Sequence, residues 1–195
     1  KKTKGTIAKE KGLEGLAKII MKQGWIDPEM EAEKFINDEV KTIDDALQGA
    51  RDIIAEWVNE NKYARNKIRY LFRKEALLVS KVAKGKEEEG DKYKDYFDTN
   101  QPLNKISSHR LLAILRAEKE GILKVSIEPE QEKAIEILTE NFIKEDNDAG
   151  KQVELAIIDA YKRLLKPSLE TEMQNEAKIK ADITAINVFV ENLRQ

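Results

Sequence analysis

The chain has 195 residues, 41% of them hydrophobic, enough for one or two modest cores and too few for a large multidomain enzyme. Its 35 Lys+Arg and 37 Asp+Glu nearly cancel, so any preference for nucleic acid or an anionic surface has to come from local clustering. With no cysteine and one histidine, His109, disulfides, thiolate metal sites, cysteine nucleophiles and histidine-rich metal or general-base clusters are excluded.

No apolar run approaches the roughly 18 to 20 residues that span a bilayer, and nothing apolar follows Lys1-Lys2-Thr3-Lys4 to make a signal peptide. A soluble, cytoplasmic protein without membrane contact is expected. The chain opens on lysine and ends at Gln195 still in helical composition, so it reads as a fragment of a longer polypeptide.

Nine glycines and four prolines are few, and the residues between them are rich in Ala, Leu, Glu and Lys, which makes the helix the default element. Leu13, Leu16, Ala17 and Ile20 recur at helical steps and stop at Gly24. Asp27 as N-cap and Pro28 at the first helical position start a second helix, with Ala32, Phe35 and Ile36 on its apolar side and an end near Asn37. Thr42-Ile43-Asp44-Asp45 opens the most regular helix, whose stripe runs Ala46, Leu47, Ala50, Ile53, Ile54, Trp57, Val58. A further amphipathic run buries Ile68, Leu71 and Phe72 and carries a basic opposite side.

Ala76 to Ala83 begins to alternate and reads as a strand or a helix tail, whereas Ile122 to Ile127, between Gly121 and Pro129, reads as a half-buried strand. The two would pair. The polar stretch from Lys84 to Asn104 is expected to be a loop, closed by a turn around Tyr93, Tyr96 and Phe97. Ser107-Ser108 is expected to cap a central helix carrying Leu111, Leu112, Ile114 and Leu115. Beyond Pro129 helices resume over 130–144, 149–165 and from Pro167 to the end. The fold class is therefore mainly α: a multi-helix domain with a small β element and a long C-terminal helix. Boundaries fall at 1–75 (helical), 76–128 (a small mixed α/β insertion) and 129–195 (C-terminal helices).

Charge is uneven along the chain. Residues 1–86 hold 19 basic and 14 acidic side chains, net +5, while residues 87–195 hold 16 and 23, net −7. Within 61–86, nine basic residues face Glu75 alone. Arg65, Arg69 and Arg73 are four apart and form one row about 6 Å between neighbours, close to the phosphate spacing of a nucleic-acid strand. Arginine's fork suits phosphate, and Tyr63 and Tyr70 would stack on single-stranded bases. Lys62, Arg65, Arg69, Arg73 and Lys74 are the candidate nucleic-acid-binding residues. The same pattern also fits a solvated face whose arginines pair with the acidic second half.

Other constellations have plainer readings. His109 is expected to be a hydrogen-bonded structural histidine, and the carboxylates at 87–89 and at Asp91, Asp95 and Asp98 to line a solvated loop, since they lack a calcium-loop pattern. Trp25, Trp57 and Phe35 are expected in the core. No Gly-rich phosphate loop and no nucleophile motif is present. The expectation is no enzyme, no cofactor and no metal.

Several blocks resemble the Tex family of bacterial transcription accessory proteins, in order along the chain. They are Lys4-Gly5-Thr6-Ile7-Ala8-Lys9-Glu10-Lys11-Gly12-Leu13-Glu14, Ala46-Leu47-Gln48-Gly49-Ala50-Arg51-Asp52-Ile53-Ile54-Ala55-Glu56, Ser108-His109-Arg110-Leu111-Leu112-Ala113, Arg116-Ala117-Glu118-Lys119-Glu120-Gly121, and Ala160-Tyr161-Lys162-Arg163-Leu164-Leu165-Lys166-Pro167-Ser168-Leu169-Glu170. Val188-Phe189-Val190-Glu191-Asn192-Leu193 fits as well.

The resemblance implies a piece of the family's helical N-terminal region, upstream of its RNase-H-like and S1 domains, with residues 129–195 entering a central scaffold. It implies a non-enzymatic scaffold contributing to sequence-independent binding of RNA or DNA, weak in this piece, alongside the transcription machinery. The alternative is a protein-interaction or purely structural module that binds no nucleic acid itself. An apolar side left uncovered on the last helix predicts weak self-association through Ile179, Ile183, Ile186 and Val190.

Overall fold

The computed structural model describes every residue from Lys1 to Gln195. The chain forms two compact units, each made from two stretches: Lys1–Ile68 with Glu132–Pro167, and Arg69–Gln131 with Ser168–Gln195.

The first unit is helical. Its elements are α1 (Lys4–Glu10), α2 (Glu14–Met21), α3 (Pro28–Glu33), α4 (Ile43–Glu60), the start of α5 (Lys62–Glu75), α7 (Gln131–Phe142) and α8 (Asp148–Asp159). Helix α4 is its centre and packs against α1, α2, α3 and α8. The Thr42 hydroxyl caps α4 by accepting the Asp45 N–H at 3.0 Å, and Asp44 and Asp45 place negative charge at the positive end of the helix dipole. Ala46, Ala50, Ile53, Ile54 and Val58 then form the buried stripe that the periodicity predicts. Gly49 lies on it because a Cβ there would meet Leu13 and Ala8, so only glycine lets α1 and the following turn lie this close. Glu56 secures the crossing by accepting the Thr3 hydroxyl at 2.8 Å and the Gly5 N–H.

The second unit is built on a three-stranded antiparallel sheet of order β2-β1-β3, with β1 (Leu77–Val82), β2 (Asp98–Pro102) and β3 (Leu123–Glu128). Leu78 stands opposite Gln101 on one side and Ile127 on the other. Leu78 and Ile127 are buried, and helix α6 (Ser108–Lys119) packs on β3 with Leu111, Ile114 and Leu115 turned inward. The expected pairing of the first and last strands is therefore present. Strand β2 was expected as loop: in Asp98-Thr99-Asn100-Gln101-Pro102 only Thr99 favours a strand, and Asp, Asn and Pro are depleted there. It becomes an edge strand because β1 offers it a ladder, reinforced by the buried Ser80 hydroxyl against Thr99, and Pro102 ends it where no ladder donor is needed.

Helix α9 (Lys166–Arg194) is the long C-terminal helix expected from Pro167 onward, and no loop separates it from α8. Residues Ala160–Leu165 form a π-helical segment that joins α8 to α9 without a break. Proline has no N–H to donate to the preceding turn, and a widened turn just before it absorbs that loss.

Candidate nucleic-acid interface

Helix α5 runs unbroken from Lys62 to Glu75 and buries Ala64, Ile68, Leu71 and Phe72. At 100° per residue the other side chains divide into two rows, one on either side of the outward midline. The first row is Lys62, Arg65, Arg69, Arg73. The second is Tyr63, Lys67, Tyr70, Lys74, confined to an arc of about 60°.

The arginine row is engaged with the protein. Arg65 donates to the Asn59 side-chain oxygen at 2.8 Å and to its carbonyl at 3.2 Å. In the second unit, Arg69 Nε donates to Glu172 at 2.8 Å, and Arg73 makes a two-point contact with Glu176 at 2.6 and 3.2 Å. The four-residue step from Arg69 to Arg73 matches the step from Glu172 to Glu176, so two parallel rungs link α5 to α9. These hydrogen bonds raise the Arg73 guanidinium above its ordinary pKa and hold the Glu176 carboxyl below its own. The pairing foreseen between the arginines and the acidic second half is made by Arg69 and Arg73, whereas Arg65 is held by Asn59 in the first half.

The second row faces water. Tyr63 is 62% exposed and Tyr70 64%. Lys67 Nζ lies 4.7 Å from the Tyr63 ring centre and Lys74 Nζ 5.6 Å from that of Tyr70. The i,i+4 step places each ammonium over the preceding ring, a cation–π contact that orders both side chains without neutralising the charge. Aromatic faces and unneutralised lysines thus alternate along one line. Of the residues predicted from sequence, Lys62 and Lys74 are exposed and Arg65, Arg69 and Arg73 are held in contacts. Lys67 is a member of the row outside the sequence-predicted set, and its spacing from Tyr63 and Tyr70 is the signal in the sequence that marks it.

His109 is exposed in the first turn of α6. No group of three or more His, Cys, Asp or Glu is placed to hold a metal ion, and no helix is long and apolar enough to cross a membrane.

The architecture is that of a mainly α protein carrying a small antiparallel sheet and a long C-terminal helix. A family model described as Tex central region-like matches residues 24–189. The chain belongs to this family. It is 38% identical to the uncharacterized protein YdcI of Bacillus subtilis and 32% identical to the transcriptional accessory protein Tex of Neisseria gonorrhoeae, in both cases along the whole of this chain. It spans 28% and 26% of their respective lengths. It is also 26% identical to the human S1 RNA-binding domain-containing protein 1, over 21% of that protein.

Proposed function

We propose that this chain is a non-enzymatic scaffold segment of a Tex-like transcription accessory protein and that it contacts nucleic acid without reading sequence, through the Tyr63, Lys67, Tyr70 and Lys74 face of α5 with Lys62 at the helix start. The observation that carries this reading is the alternation of exposed rings and ammonium groups along one helix face. Lysines on phosphates position a strand, and tyrosine faces accept any base, so the contact favours single strands and RNA over a closed duplex. The name of the Neisseria relative supports a setting in transcription, and that of the human relative supports RNA.

In this reading the arginines fasten α5 to its surroundings and the tyrosine–lysine row meets the strand. Replacing both tyrosines with alanine tests the stacking component. Binding of a labelled single-stranded RNA should weaken about thirtyfold or more, as the loss of two base–aromatic stacks requires, while binding of a DNA duplex of equal length changes little. Equal losses on both would leave electrostatics alone.

A second reading, a structural module that binds no nucleic acid, is favoured by the arginine–glutamate rungs, which show that most of the basic row's arginine charge already has a partner.

A further inference from the structure

Trp25 was expected in the core, yet it is 79% exposed, and Met30 five residues on is 65% exposed. The exposure is built in. Preceding Trp25, Gln23 adopts φ +57°, a left-handed conformation that disfavours any residue with a Cβ. Its side chain is buried and holds the strained turn in place, donating to the Phe142 carbonyl at 2.8 Å and accepting the Lys144 N–H at 2.7 Å. Asn147 answers from the other side, donating to the Gln23 carbonyl at 2.9 Å while its oxygen caps α8 by accepting the Gly150 N–H at 2.8 Å. After Trp25, the Asp27 carboxylate caps α3. The indole therefore projects from a segment fixed at both ends, with little ordering left to lose on binding.

The surroundings are acidic. Asp27, Glu29, Glu31 and Glu33 follow within eight residues with no basic residue among them, and Asp148 joins Asp27 and Glu29 around one shallow depression. Lys151 in that depression lies 3.8 Å from Asp148, and Lys34 beyond α3 pairs with Glu31 at 3.2 Å, so carboxylates remain in excess. Carboxylates this dense in the segment that follows Trp25 repel phosphate, which argues against stacking on nucleic acid. Tryptophan and methionine are enriched at the centres of protein interfaces, where one anchor fills a slot in the partner.

We propose that Trp25 and Met30 form the anchor of a docking surface for a basic polypeptide, one that offers an apolar slot ringed by lysine or arginine. None of its residues belongs to the tyrosine–lysine row of α5, and it takes a partner of the opposite charge.

Panning a phage-displayed library of random dodecapeptides on this chain tests it. The expected clones combine Lys or Arg with large apolar residues. Their synthetic peptides should lose at least tenfold in affinity to Trp25→Ala and several-fold to Glu29→Lys, with melting unchanged in the former because the indole is already in water. In Trp57→Phe, where Trp25 is the one remaining indole, the peptides should shift its emission to the blue. No enrichment, acidic clones, clones that bind Trp25→Ala equally well, or the same blue shift produced by single-stranded RNA would each overturn the proposal.

Discussion

Arg73 and Glu176 meet at 2.6 Å through a two-point contact that runs from the last turn of α5 to α9, one helical turn beyond the Arg69–Glu172 rung. Both pairs are partly exposed, so each adds little stability and mainly fixes which face of α5 is turned to its neighbour. A double-mutant cycle on Arg69 and Glu172 should give a coupling of roughly 0.5–1 kcal/mol. The charge swap Arg73→Glu with Glu176→Arg should recover most of the melting temperature lost by Arg73→Glu alone. Differential scanning calorimetry of these variants beside the wild type checks both.

Acid should weaken the same contact. Hydrogen bonding from Arg73 holds the Glu176 carboxyl below its ordinary pKa in the folded protein. Its contribution is therefore complete above the unfolded carboxylate range and is lost as the pH falls through the lower, folded value. Glu176→Gln removes that dependence. The difference in melting temperature between wild type and Glu176→Gln should be constant at neutral pH and shrink under acid conditions.

The buried amides beneath Trp25 should prove costly to remove. Gln23→Ala leaves the Phe142 carbonyl and the Lys144 N–H without their partner, a loss of about 2–3 kcal/mol in urea unfolding. Gln23→Gly loses the same hydrogen bonds but accepts the positive φ, and should be more stable than Gln23→Ala by about 1 kcal/mol. Asn147→Ala removes a helix cap and a buried donor together and should cost about 2 kcal/mol.

Along α9, Ile179, Ile183, Ile186, Val190 and Leu193 are all exposed and alternate by four and three residues, the spacing of a two-stranded helical seam. Sedimentation equilibrium should detect weak, concentration-dependent association that disappears in Ile183→Asp with Val190→Asp. A single monomeric mass across the whole concentration range would contradict it.

Much of the helical framework was readable in the sequence because local chemistry and packing agree there. Thr42 and Asp27 cap the helices they were expected to cap, and the α4 stripe is buried as its period requires. Strands β1 and β3 alternate in sequence and pair in space. Strand β2 was hidden because its order comes from β1 and not from its own residues. Pro167 marked the start of α9 to within a residue, but the π turn at Ala160–Leu165 that joins it to α8 has no sequence marker. Trp25 misled because hydrophobicity alone predicts burial, whereas the deciding interactions are polar ones made by Gln23 and Asn147 with residues 119 to 124 positions away. On α5 the basic cluster was visible, but which cations were already paired depended on Glu172 and Glu176, more than a hundred residues downstream.

The most direct test of the account is fluorescence anisotropy of a labelled single-stranded RNA over a series of salt concentrations, comparing the wild type with Lys67→Glu/Lys74→Glu. Three lysine contacts predict a logarithmic salt slope of about −2, and the double variant should lose most of the binding and of the slope without a change in melting temperature. No binding by the wild type at low salt, or binding that the double variant retains in full, would contradict the role given to the exposed face of α5.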